Sequence, residues 1–320
     1  MTLIHSAANQ HVATQVSDRL VTRGETAYDT LANKNVVYFG PDSVMSFGYS
    51  GPAYRGQDKA PTDQWIMDVL QGESNPGGPR ERGTTLRVGR PAPQAPTLKD
   101  SLKRLQEALS DSVQYLPANA KNMGFELVGC GWQREPEGTF DAVLCGIADS
   151  GGKHQFEIWG PGAVKQGQVT LAITPRALKD RCNLPKLLER LGKAESEKEF
   201  VGILTDKIQT VGAQVPQVGR DCMCIVIRAP TIRVVEVEFK PMTTHTGIIA
   251  DKLGKAMTPA VPVAYTPWIV GSTIEVPPNV LLGGHGLHID GWTVRFNAPY
   301  NPTSGGVVRA ISSQRRKKSP

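Results

Sequence analysis

The sequence predicts an α+β protein in which two β-sheets are sandwiched between helical layers. Three observations lead there. Apolar residues make up 39% of the 320 residues and are spread along the chain, which suffices for one large domain or a core of about 200 residues with a smaller unit beside it. The 33 glycines and 24 prolines exceed what a helix bundle of this length carries and mark a turn-rich chain. The hydrophobic periodicity runs in blocks: strands, two helices, strands, two helices, strand. That order is expected when paired helices cover antiparallel sheets.

Taken in order, residues 2–18 alternate loosely and break at Asn9-Gln10-His11, predicting a hairpin with strands near 2–8 and 12–18. Asp18 then ends a strand. Residues 22–29 read as a loop, and Lys34 opens a second hairpin, 35–39 with 43–49, turning at Gly40-Pro41-Asp42. Thr62 is a candidate N-cap for a helix reaching Leu70, with Trp65, Ile66, Val69 and Leu70 on one face. Residues 72–97 hold Asn75-Pro-Gly-Gly-Pro79 and Pro91-Ala-Pro-Gln-Ala-Pro96 and are expected to be a mobile or polyproline-like insertion. Thr97 caps a second helix carrying the stripe Leu98, Leu102, Leu105, Leu109 and Val113.

A meander of strands follows over 125–132, 140–147, 155–159 and 169–173. Helix is predicted over 176–190, interrupted at Pro185, and over 196–209, before an apolar strand at 222–227. Past Arg228-Ala-Pro230 a strand alternates Val235, Val237 and Phe239 with charged residues. A β-forming, Pro-rich stretch completes the chain. The expected organisation is a core over 1–230, interrupted by the 72–97 insertion, and a β-rich extension over 231–320 with a basic tail at Arg315, Arg316, Lys317 and Lys318.

Composition excludes several classes. No window approaches 18 consecutive apolar residues, and the N-terminus lacks the basic start and apolar run of a signal peptide, so a cytoplasmic protein without a membrane partner is expected. The net charge of +6 is concentrated only in the tail, which reads as solvated, so no specific nucleic-acid partner is expected. The five cysteines lack metal spacing and read as reduced core residues, with Cys222 and Cys224 on one face of a strand. His285, His288 and Asp290 form H-x-x-H-x-D, but alternating strand residues do not converge on one ion. No metal and no cofactor is expected.

Thr2 carries the chemistry. Removal of Met1 would leave a threonine with a hydroxyl and a free α-amine, and an amine of reference pKa about 7.7–8.0 can accept the hydroxyl proton directly or through water. A cation beside it would favour the ionised hydroxyl and the developing oxyanion, provided an anion holds that cation. Lys34 and Asp18, both at predicted strand ends, suit those roles.

The pieces Thr2-Leu-Ile, Val16-Ser-Asp18-Arg19, Ala32-Asn-Lys34 and Phe47-Gly-Tyr-Ser-Gly51 resemble the N-terminal half of proteasome β-subunits and their bacterial relatives. In that family of N-terminal-nucleophile (Ntn) hydrolases the catalytic threonine begins the chain, an aspartate ends the second strand and a lysine opens the third, at the spacing seen here. The resemblance covers roughly residues 2–228 and is patchy after 60. It implies a four-layer αββα sandwich, a threonine-type hydrolase of peptide or amide bonds, a homo-oligomer, and a glycine N–H facing the oxyanion. Gly51 matches that glycine by local pattern and Gly48 by counting from Lys34. The family's supporting aspartate and serine before the last core strand have no clear match near Val218-Gly-Arg-Asp-Cys222, where Asp221 is a candidate substitute. The alternative expectation is a non-catalytic Ntn-fold structural or interaction protein that binds a partner through residues after 230.

Overall fold

A computed structural model describes residues 2–23, 26–29, 32–78, 87–88, 96–149, 153–240, 249–250, 256–257, 266–271, 274–278 and 286–297. The protein is mixed α/β and built on two large sheets. Strands β1 (Ile4–Ala8) and β2 (Val12–Asp18) form the first hairpin, and β3 (Asn35–Phe39) and β4 (Ser43–Ser50) the second. The meander supplies β5 (Glu126–Arg134), β6 (Phe140–Asp149), β7 (Phe156–Ala163) and β8 (Thr170–Thr174). β9 (Cys222–Arg228) and β10 (Val234–Lys240) follow the helices, then β11 (Trp268–Val270), β12 (Ile274–Val276), β13 (Gly286–Ile289) and β14 (Trp292–Asn297).

Sheet I runs β8-β1-β2-β9-β10-β14-β13, and sheet II runs β7-β6-β5-β4-β3-β11-β12 with the short strand Arg87–Val88 at its edge. Most neighbours are antiparallel. The exceptions are β14 on β10 and β11 on β3, which are parallel and bring late segments beside early ones.

Strand alternation explains the cores. One cluster draws Ala13, Ile225 and Val237 from sheet I and Val37, Val44 and Cys130 from sheet II, so these faces meet. The opposite face of sheet II, with Val36, Phe47 and Leu127, packs on α1 (Thr62–Gln71) and α2 (Leu98–Ser112). The opposite face of sheet I, with Leu3, Val16 and Cys224, packs on α3 (Leu184–Gly192) and α4 (Glu197–Gly212). All five cysteines are buried and free, and burial pushes the Cys224 thiol up to about 12.

Several elements depart from the sequence reading. Thr62 does not cap α1: it is the first helical residue, and its hydroxyl donates to the Pro52 carbonyl at 2.7 Å. The stretch read as a loop at 22–29 contains a small hairpin, Val21–Arg23 with Thr26–Asp29. The helix break falls at Asn183, in the left-handed region with φ 49°, while Pro185 sits in the first turn of α3 where its missing N–H costs nothing. Within the expected insertion, Gly77 N–H donates to Asp68 Oδ2 at 2.8 Å, tying the chain after α1 back onto that helix. Residues 79–86 and 89–95 lie outside the described residues. Among the described residues, no helix is long and apolar enough to cross a membrane.

Candidate active site

The chain enters sheet I at Thr2, which is 6% exposed. Its neighbour Leu3 extends the β1–β2 ladder by one further exchange: Leu3 O accepts from Asp18 N at 3.1 Å, and Leu3 N donates to Asp18 Oδ1 at 3.1 Å. From sheet II, Ser50 Oγ at the end of β4 donates to Thr2 O at 3.2 Å. Thr2 is thus held where the ends of β2 and β4 come together.

Asp18 is fully buried, and its carboxylate is crowded with donors. Oδ1 accepts from Leu3 N and from Lys34 Nζ at 2.9 Å, and Oδ2 accepts from Gly219 N at 2.7 Å. A buried carboxylate survives only with such compensation. Gly219 can approach because it lacks a side chain: a Cβ there would lie 2.8 Å from Leu20 Cβ and 3.0 Å from Leu20 N. The segment before β9 therefore reaches Asp18 through the Gly219 backbone. Asp221, the substitute suggested by sequence, presents its carbonyl to Arg19 N at 3.1 Å.

Lys34 precedes β3, its side chain is 2% exposed, and Nζ bonds both Asp18 Oδ1 and the Leu20 carbonyl, the latter at 2.5 Å. Its own carbonyl accepts from Tyr49 N at 3.1 Å, which fixes it against β4. Burial lowers the Lys34 pKa below the usual lysine value; the charge and hydrogen bond of Asp18 and the charge of Asp29 oppose that shift, and Arg19 adds to it. Leu3 N and Lys34 Nζ meet on one carboxylate oxygen, so the residue next to Thr2 and the buried ammonium are no farther apart than those two hydrogen bonds together. An ion pair joining the two sheets beside the start of the chain can hold a cation at low dielectric, where it acts on a nearby hydroxyl or oxyanion far more strongly than in water.

The two candidate glycines occupy different settings. Gly48 is inside β4, opposite Asn35 and Val128, so both its backbone groups face ladder neighbours. Gly51 lies just past β4 with φ 141°, and a Cβ there would lie 2.9 Å from the Gly124 carbonyl. His285 lies outside the described residues; His288 is exposed and contacts the Thr293 hydroxyl at 3.2 Å.

Sequence reasoning missed a set of buried polar side chains beside the pair: Ser6, Gln15, Ser17, Asn35 and Ser46, all fully buried. In β2, Gln15 and Ser17 share one strand face with the buried Ala13, but polar residues on a strand face do not by themselves signal burial.

No protein-family model matches the chain, and no curated protein does. Among solved structures it is similar to Anbu (ancestral beta-subunit) from Yersinia bercovieri, at 10% identity and TM-score 0.47 over 71% of this chain and 82% of that one. It is also similar to Anbu from Hyphomicrobium sp. strain MC1, at 10% identity and TM-score 0.46 over 72% and 83%. A Gly-1 mutant of Anbu from the same strain gives 11% identity and TM-score 0.45 over 71% and 82%.

Proposed function

We propose that this protein is a threonine-type N-terminal-nucleophile hydrolase with a four-layer αββα core, to whose two sheets strands after residue 230 also contribute. The observation that carries the reading is the buried Asp18–Lys34 pair, 2.9 Å apart and bonded to the backbone next to Thr2. With Met1 removed, Thr2 Oγ attacks the carbonyl carbon of a peptide or amide, and the hydroxyl proton passes to the α-amine. Lys34 favours the ionised hydroxyl, and Asp18 holds Lys34. The N–H of Gly51 receives the oxyanion, with Gly48 the other candidate. The C–N bond breaks, the leaving amine takes the proton, and water then cleaves the ester on Thr2. A homo-oligomer and a cytoplasmic setting go with this reading.

The second reading, a non-catalytic Ntn-fold structural or interaction protein, is favoured by the low exposure of Thr2, since a substrate carbonyl needs access to its hydroxyl. Acylation by a β-lactone or epoxyketone separates the two. Lys34→Ala is expected to leave a folded protein whose acylation rate falls on the order of a hundredfold or more. Asp18→Asn acts in the same direction less severely, because it chiefly orients Lys34. Undiminished labelling of Lys34→Ala would remove Lys34 from the mechanism.

A further inference from the structure

Asp18 ends β2 of sheet I and Lys34 directly precedes β3 of sheet II, so their separation depends on how sheet I sits over sheet II. Much of that interface is apolar. Apolar contact is non-directional and fixes the spacing of two sheets better than their offset. Close to the ion pair the interface turns polar. Gln15 Nε2 donates to Ser6 Oγ at 2.8 Å and to the Val128 carbonyl at 3.0 Å. Its Oε1 accepts from Asn35 Nδ2 at 2.5 Å and Ser46 Oγ at 2.7 Å. The amide is saturated. Its partners lie on β1 of sheet I and on β5, β3 and β4 of sheet II.

Asn35 Oδ1 accepts in turn from Ser17 Oγ at 2.5 Å. Ser17 and Asn35 are the chain neighbours of Asp18 and Lys34, so a second bridge between the sheets runs beside the ion pair. Gly48 leaves room for it: a Cβ there would lie 3.0 Å from Gln15 Oε1 and 3.1 Å from Asn35 Nδ2.

We infer that Gln15 is a positioning residue: through Asn35 and Ser17 it sets the offset between the sheets and thereby holds Asp18 and Lys34 at bonding distance. Its catalytic consequence rests on the reading of Thr2 as nucleophile, whereas its effect on the pair does not. An apolar side chain of similar volume would fill the space while leaving Asn35, Ser46, Ser6 and the Val128 carbonyl short of a partner. Directional bonds from one amide to four strands fix a register that packing alone leaves loose.

The test uses the full chain as wild type, Gln15→Met and the milder Ser46→Ala, with two readouts. The first is the titration of the Lys34 amine, followed by NMR with carbon-13-labelled lysine and assigned with Lys34→Arg. The charged groups acting on that amine are Asp18 on β2, Asp29 on the small hairpin, and Arg19 just past β2. The second is the acylation rate with a β-lactone. In Gln15→Met the Lys34 titration moves further below that of an ordinary lysine, because the opposing contribution of Asp18 weakens while the amine stays buried, and acylation slows by about a hundredfold, as expected when a reacting constellation shifts by an ångström. Ser46→Ala moves both in the same direction by less, and it carries the test alone if Gln15→Met does not fold. An unmoved Lys34 titration in the folded variants overturns the proposal, whatever acylation does. A moved titration in a protein whose wild type is never acylated supports the role of Gln15 and removes the hydrolase reading instead.

Discussion

Asp63, in the first turn of α1, is buried, and its carboxyl is raised to about 7 because desolvation outweighs the backbone N–H groups it accepts. His5, on β1 beneath α4, is lowered to about 4 by burial, opposed by its bond to the Leu204 carbonyl and aided by Lys207. Linkage gives the two opposite signs. The raised Asp63 pKa adds stability that is complete below the ordinary aspartate value and is lost as pH rises through about 7. The lowered His5 pKa adds stability that is complete above the ordinary histidine value and is lost as pH falls through about 4. Their slopes offset each other between about pH 4 and 6.5, each amounting to roughly 2–4 kcal/mol over its window. Chemical denaturation across that range should therefore show Asp63→Asn gaining stability with rising pH more steeply than wild type, and more stable than wild type at pH 8. A variant with the same pH profile as wild type would contradict the burial of the charge. At this scale the sequence placed Asp18 and Lys34 at strand ends, and the structure brings the two side chains together beside the backbone next to Thr2. Gln15 was not legible. A polar residue alternating with Thr14 and Val16 reads as facing water until a second sheet closes over it.

Elements were legible where a local signal and a tertiary face agree. Thr97 accepts from Asp100 N, capping α2, and the leucines at 98, 102, 105 and 109 form the face buried against sheet II. Ser196 caps α4 in the same way. Thr62 carried the same local signal, yet its hydroxyl is taken by the Pro52 carbonyl, and Pro61 occupies the cap position. Asn183 shows the converse. Its left-handed backbone ends one helical turn and its side chain accepts from Lys186 N to begin α3, a double duty that the nearby proline masked in the sequence. The hairpin at 21–29 was missed because its strands are only three and four residues long, too short to show alternation.

For the whole molecule, two sheets and paired helices could be read from block order, but the destination of residues after 230 could not. Parallel pairing of β11 on β3 and β14 on β10 joins segments far apart in sequence, and periodicity carries no information about such partners. Composition changes at Pro230, whereas in the sheets the two sides of that point are interleaved. Val235, Val237, Ile269, Trp292 and Val294 belong to the same buried cluster as Val37 and Ile225. A chain ending at 230 is therefore expected to lose cooperative folding, seen as loss of its thermal transition; a soluble, cooperatively melting truncation would make the late strands dispensable. The proposed chemistry acts through Thr2, freed by removal of Met1, beside a buried Asp18–Lys34 pair. Intact mass spectrometry of the purified protein, before and after a β-lactone, tests it most directly. A chain lacking Met1 that gains one adduct, mapped to Thr2 by peptide analysis, is the expected result. A chain that retains Met1, or one that starts at Thr2 and takes no adduct there, would contradict it.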